Sequence, residues 1–95
     1  AALAPFDALL SPTVPLVASP IADVAPGAER DAEFFRVNAL LLRNTSVVNM
    51  LDGCALSLPC HMAGELPVGL MVWHGALHDD AVLNVGLQIE QTLQK

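Results

Sequence analysis

Basic side chains are scarce in this 95-residue chain: Arg30, Arg36, Arg43 and Lys95 stand against ten acids, for a formal net charge of −6. Phosphate and anionic lipid headgroups are gripped by clustered Lys and Arg, so nucleic acid and anionic membrane surfaces are excluded as partners. The longest stretch without charge, Ala8–Ala22, holds Pro12, Pro15 and Pro20. It falls short of the ~20 helix-compatible apolar residues that a membrane span needs. No basic run opens the chain, which argues against a signal peptide. Serine is represented by Ser11, Ser19, Ser46 and Ser57, none of them in a G-x-S-x-G setting, and the single lysine is the last residue. A Ser–Lys nucleophile needs a buried, deprotonated lysine, so serine catalysis from this stretch alone is excluded. The glycines are isolated, which removes a phosphate-cradling loop.

Cysteine is limited to Cys54 and Cys60. On an extended strand, six residues apart means about 20 Å, against at most ~7 Å between the α-carbons of a disulfide. Both are expected reduced and buried, in keeping with a cytoplasmic location.

What the chain has in excess is apolar surface. Hydrophobic residues make up 54% of it, with six glycines besides, above the ~45–50% that this set averages in soluble domains. A chain of this length makes one domain at most and cannot hide all those side chains in its own core. Some must meet a partner, a second copy, or further chain.

Residues 6–14 read as a strand running into prolines, and Ser19–Gly27 as a loop. From Arg30, Phe34, Phe35, Val37 and Leu40–Leu42 fall at helical spacings behind Glu29, Asp31 and Glu33, acids suited to a helix N-terminus. Asn44-Thr45-Ser46 interrupts that run and offers cap chemistry for a second helix over roughly 45–51, stopped by Gly53. CALSLP at 54–59 and PVGLMVWH at 67–74 are short β-suited runs around Gly64, predicting an antiparallel hairpin. His78-Asp79-Asp80 leads a last amphipathic helix with Val82, Val85, Ile89 and Leu93 in one stripe and Leu83 and Leu87 beside it.

The expected fold class is α/β, a partial mixed sheet in the order β-α-α-β-β-α. Its parts are a strand and Pro-rich loop over 1–29, helices over 30–53, a hairpin over 54–74 and a C-terminal helix over 78–94. Consecutive apolar positions in both hairpin strands predict strands buried on both faces, as in the middle of a larger sheet.

Few residues invite chemistry. Adjacent residues on a strand point to opposite faces, so Cys60 does not meet His61, and Cys60 reads as an inert cysteine at a strand end. His74-x3-His78 with Asp79 and Asp80, and His61 with Glu65, have some metal-like spacing. Gly75 and the strand-to-helix turn spoil the geometry of the first, and neither has a third ligand of known position, so no metal and no cofactor is expected. Asp79 and Asp80 suit the helix dipole. There remains the polar break between the helices. Asn44 is accounted for by capping, while Thr45 and Asn49, about one turn apart, could face a ligand cleft.

RNTSVVNMLDGCALSLPC, then ELPVGLMVWHG, then DDAVLNVGLQIEQ, with FDALLSPTVP upstream, together resemble the C-terminal end of the amidase signature family. The wording DGCALSLPC is more similar to its allophanate-hydrolase-like and general amidase branch than to its tRNA-amidotransferase branch. The resemblance implies a parent that hydrolyses or transfers linear amides through a Ser–cis-Ser–Lys triad lying in an earlier part of the enzyme. This segment would then contribute strands and helices to a large mixed sheet and close one side of the acyl cleft. By the same resemblance Thr45 and Val48 match channel-lining positions, with Asn49 beside them. Leu42 matches the place where glutamine-transferring members carry an acid, so glutamine is not the expected substrate. His61 stands where the family usually has glycine, and no function is carried onto it.

The expected partner is the N-terminal catalytic portion of such an amidase. The alternative is a stand-alone, non-catalytic binding or oligomerisation module, whose dimers or higher assemblies would bury Leu70, Val72 and the Phe34/Phe35 helix face.

Overall fold

The computed structural model describes Leu3 and residues 5–94. Leu9–Pro12 forms β1, Ile21–Val24 a single helical turn (α1), Ala28–Arg30 a 3-10 turn, and Asp31–Met50 the long helix α2. Cys54–Pro59 (β2) and Gly69–His74 (β3) follow, and Asp79–Leu93 (α3) is the last element.

The hairpin expected over 54–74 is present, with Cys54 opposite His74, Leu56 opposite Val72 and Leu58 opposite Leu70. β1 lies on the other side of β3, with Leu10 opposite Val72, giving the order β1-β3-β2. Both pairings are antiparallel. The sheet of the described residues is therefore antiparallel where a mixed one was expected, because the chain re-enters β3 from β2 through a loop and meets β1 head to tail.

The order β-α-α-β-β-α is found, but with different helices filling it. The polar break at Asn44-Thr45-Ser46 does not split α2, which runs unbroken through it. Asn44 donates from Nδ2 to the Pro12 carbonyl (2.9 Å), a bond to β1 rather than to a helix end. The Thr45 hydroxyl turns back onto the Leu42 carbonyl (3.4 Å). With those groups engaged elsewhere, the break loses its capping function, and such residues cost a helix only about 0.5 kcal/mol each. The extra helix is α1, inside the segment read as a loop. It begins after Pro20, whose fixed φ suits a helix start, and the Asp23 N–H bonds the Pro20 carbonyl. The first strand is also shorter than residues 6–14.

Gly53 marks the end of α2, as expected, but as the second residue past the cap. Asp52 takes the left-handed position (φ 55°). The Gly53 N–H reaches Val48 O and the Asp52 N–H reaches Asn49 O, the paired bonds of a Schellman turn. A Cβ on Gly53 would strike the His74 carbonyl oxygen, so glycine is required by the approach of β3.

Pairing register sorts the side chains into two layers, since directly opposed residues share a face. Cys54, Leu56, Leu58, Leu70, Val72 and His74 face one way, and α3 covers them. The core there is Leu58, Val72 and Val82, with Ala8, Cys54, Leu56, Val85 and Ile89 packed around it. Gly86 lets α3 sit close, since a Cβ there would lie 2.5 Å from Leu56 Cδ2. The other face carries Ser11, Ala55, Ser57, Met71 and Trp73. Met71 is buried on it, whereas Ala55, Ser57 and Pro59 are exposed. Burial on both faces therefore holds for β3 and fails for β2, which is an edge strand with one open face.

Two further expectations are corrected. Cys54 is only partly buried and Cys60 is exposed, both as free thiols. Val72 is fully buried beneath α3, so it is unavailable to a second copy, and Leu70 beside it is half-buried. The last helix matches its expected span, with Leu83, Leu87 and Leu93 exposed. Among the described residues no helix is long and apolar enough to cross a membrane.

Candidate functional site

The residues nominated from the resemblance all lie on the second half of α2. At 100° per residue, Leu42, Thr45 and Asn49 (i, i+3, i+7) form one stripe. Leu42 and Asn49 are exposed and Thr45 half-buried, while Val48 is buried and turns inward. Its Cγ1 sits 3.2 Å from where a Cβ on Gly53 would be, so it packs the turn that ends the helix. The structure thus brings three of the four together and gives Val48 a packing role in the described fold.

The recess beside this stretch opens on the other flank of α2. It is a cavity of about 160 Å³ lined by Ser11 of β1, Asn44 and Val47 of α2, and Met71 and Trp73 of β3. The sheet register builds its floor. Ser11 is opposite Met71, and Leu9 opposite Trp73, which brings Ser11, Met71 and Trp73 to the α2 side. Asn44 is fixed above them, its Nδ2 tied to Pro12 and its Oδ1 accepting from Arg43 Nε (3.2 Å). Sequence reasoning took Asn44 for a cap and passed over Ser11, Val47 and Trp73. Nothing local marks those residues, because they meet only through strand pairing.

The other candidates are held by backbone bonds. His74 is buried, with Nδ1 accepting the Gly75 N–H (2.7 Å) and Nε2 donating to the Phe6 carbonyl (3.0 Å), which assigns the neutral Nε2–H tautomer. Its ring stacks on that of His78 at 4.0 Å. The His78 Nδ1 bonds the Ala76 carbonyl (2.9 Å). Both rings lock the turn from β3 into α3. His61 accepts the Val68 N–H (3.1 Å) and Glu65 accepts the Met62 N–H (2.6 Å), which orders the loop of the hairpin. Asp79 and Asp80 are exposed in the first turn of α3.

A hydroxyl pair spans the sheet where sequence reasoning saw none. Thr13 Oγ1 and Ser57 Oγ meet at 2.5 Å across the central strand. Gly69 lies beneath them, and a Cβ there would come within 2.7 Å of Ser57 Oγ and 2.8 Å of Thr13 Oγ1.

Electrostatically the surface is sparse. Arg36 grips Glu33 through Nε (3.0 Å to Oε2) and Nη2, and Arg30 pairs with Glu29. The bond from Arg36 holds the Glu33 carboxyl below its usual range, and the same pairing raises Arg36. Large apolar side chains remain uncovered on α2, including Phe34, Phe35, Leu41, Leu42, Val47 and Met50.

Comparison with known proteins adds the following. No protein-family profile matches the chain, and no solved structure matches it. An uncharacterized protein from the nthA 5′ region of Rhodococcus erythropolis is 34% identical over 91 residues, covering 95% of this chain and 44% of that protein. The A component of the glutamyl-tRNA(Gln) amidotransferase of Salinispora tropica is 36% identical over 87 residues, 92% of this chain and 16% of that component. The 2-amino-5-chloromuconic acid deaminase of Comamonas testosteroni is 31% identical over 85 residues, 88% of this chain and 18% of that enzyme. The chain spans less than half the length of these curated relatives.

Proposed function

The chain belongs to the amidase family, and from that membership we propose that it is the C-terminal part of an amidase that hydrolyses the C–N bond of a linear carboxylic amide. The segment supplies scaffold and one wall of the substrate cleft, with Leu42, Thr45, Val48 and Asn49 on the helix nearest the substrate. The Ser-Ser-Lys residues belong to the N-terminal catalytic portion, which is its partner, and the protein works in the cytoplasm. Leu42 presents a hydrocarbon where an acid would grip the substrate's amino group. That favours hydrolysis of simple amides over use of glutamine, and the general amidase branch over the amidotransferase one.

One observation carries this reading. Nearly all of the chain aligns with under a fifth of enzymes such as the amidotransferase and the deaminase, while Phe34, Phe35, Leu41, Leu42 and Met50 stand uncovered on one helix. An apolar face of that kind suits a segment packed against a larger body.

The test is amide hydrolysis by the protein translated from the continuous reading frame that contains this segment, beside the 95-residue chain alone. Hydrolysis by the first and none by the second is expected. Hydrolysis by the chain alone, lost in Cys60→Ala, would overturn the reading. A frame that opens just before Ala1, together with a well-folded oligomer in dilute solution, would favour the stand-alone module instead.

A further inference from the structure

We propose that the outer edge of β2 is a strand-addition site, filled by an extended strand of the N-terminal catalytic portion; this rests on the amidase reading and names where that portion joins the sheet. In an antiparallel ladder, alternate residues exchange bonds with the partner strand, and the residues between them turn N–H and C=O outward. The Cys60 N–H bonds the Val68 carbonyl (2.9 Å). The register sets the same phase for Leu58 with Leu70, Leu56 with Val72 and Cys54 with His74. The outward residues of β2 are therefore Ala55 and Ser57, each with an N–H and a C=O, and Pro59 with a C=O. Among the described residues these groups bond nothing. The other edge differs. The Thr13 N–H bonds the Gly69 carbonyl (3.0 Å), which turns Leu10 and Pro12 of β1 outward. Pro12 has no N–H, and its carbonyl is taken by Asn44 Nδ2 (2.9 Å). β2 lacks the charged residues that blunt an edge strand, and its one proline stands at its last position.

The helix above sets what kind of strand fits. On α3, Gly86 stands against Leu56 and Leu58 of β2. Leu83 and Leu87 lie on the flank of Gly86 away from Val85 and Ile89 and are exposed, while Leu56 below is half-buried. A strand added at β2 with apolar residues at alternate positions fills the step between those leucines and the sheet. The occupant follows from length. The amidotransferase component and the deaminase share 16% and 18% of their own length with this chain, so in such a protein more than four-fifths of the residues lie outside it and can supply that strand. A second copy fits less well. Paired about Leu56, it would set against Pro59 a Gly53 whose N–H is already held by the Val48 carbonyl. Paired about Ser57, it would set Ala55 against Pro59, which has no N–H to give.

The experiment is hydrogen exchange at single amides, in the 95-residue chain and in the protein translated from the continuous reading frame that contains it. In the chain alone, Ala55 and Ser57 should exchange freely while Leu56 and Leu58, bonded to β3, are protected. In the longer protein, Ala55 and Ser57 should slow by at least about 100-fold. Ala55→Pro deletes one outward N–H and spares the bonds to β3, so it should lower the urea midpoint of the longer protein and leave that of the chain alone unchanged. Free exchange at Ala55 and Ser57 in the longer protein, slowing at Leu10 in their place, or an equal drop in both proteins for Ala55→Pro would overturn the proposal. So would slowing in the chain alone that grows with its concentration, which would give the edge to a second copy. The two readings fail separately: amide hydrolysis with free exchange at Ala55 and Ser57 sinks this one, and slowed exchange without hydrolysis sinks the amidase one.

Discussion

The two faces of the sheet are finished to different degrees. Under α3, the apolar positions of β2 and β3 are closed over by Val82, Val85 and Ile89, and Val72 has no exposed surface at all. Under α2, Met71 is covered, but a cavity stays open beside it, and Ala55, Ser57 and Pro59 look onto solvent. The difference lies in how each helix meets the sheet. α3 follows β3 after a short turn locked by stacked histidines and lies back across the hairpin through the notch at Gly86. α2 meets the sheet chiefly towards its C-terminal end, through Asn44 and Val48, while its N-terminal half packs on α1. Apolar surface is plentiful on both helices; only one of them has found its cover within the chain.

If the faces differ in this way, truncations on them should differ as well. Val72→Ala is expected to give the largest loss, about 2–3 kcal/mol in urea denaturation, because it opens a cavity in the closed core. Val47→Ala, its counterpart on the open side, should stay within about 0.5 kcal/mol. Equal losses would show that α2 is as firmly seated as α3. Gly53→Ala comes next, at about 2 kcal/mol, since the added methyl must push β3 away from the end of α2; an unchanged midpoint would mean that the junction is loose.

Smaller effects test the turns. Leu77 takes a left-handed backbone (φ 67°) at 94% exposure between β3 and α3. That conformation costs a side-chain-bearing residue about 1–2 kcal/mol, and glycine's freedom in the unfolded chain returns about 0.4–1 kcal/mol of the relief. Leu77→Gly should therefore stabilise the α3 side by about 0.5 kcal/mol, read as a raised midpoint. The smallest effect concerns the Glu33–Arg36 pair at the start of α2. Because Glu33 is depressed when folded, what it adds to stability is present above its unfolded value and lost as pH falls through the folded one. In Arg36→Ala, the Glu33 carboxyl should titrate at the ordinary carboxylate value by NMR; no upward movement would place its cause elsewhere.

Much of this was legible from residue order. Glu29, Asp31 and Glu33 ahead of the apolar run marked the start of α2, Gly64 the hairpin loop, and His78-Asp79-Asp80 the entry to α3. The failures share a physical cause. Asn44 and Thr45 have side chains able to cap a helix, and the sequence does not say that Asn44 has a better partner in Pro12, thirty-two residues away. Pro20 and Pro26 read as loop punctuation, yet one of them starts α1. Cys60 reads as a reduced, buried thiol at a strand end, but it lies one residue past β2 and is exposed. The candidate site divides in the same way. Thr45 and Asn49 fall about one turn apart by helical periodicity alone, whereas Leu42 joins their stripe only because α2 runs unbroken, and Ser11, Asn44 and Trp73 share a cavity only because β1 pairs with β3 in one register.

Residue order and composition were enough to specify the hairpin, the start of α2, the last helix, the surplus of apolar surface and the lack of cationic grip. Those depend on local periodicity, which acts over a few neighbours, or on totals taken over the whole chain. Folding alone settled which face of the sheet is closed, that α2 runs unbroken through its polar stretch, and that Ser11, Asn44 and Trp73 meet around one cavity. Each of those depends on hydrogen bonds and contacts between residues far apart in sequence, and such pairings have no local signature before the chain folds.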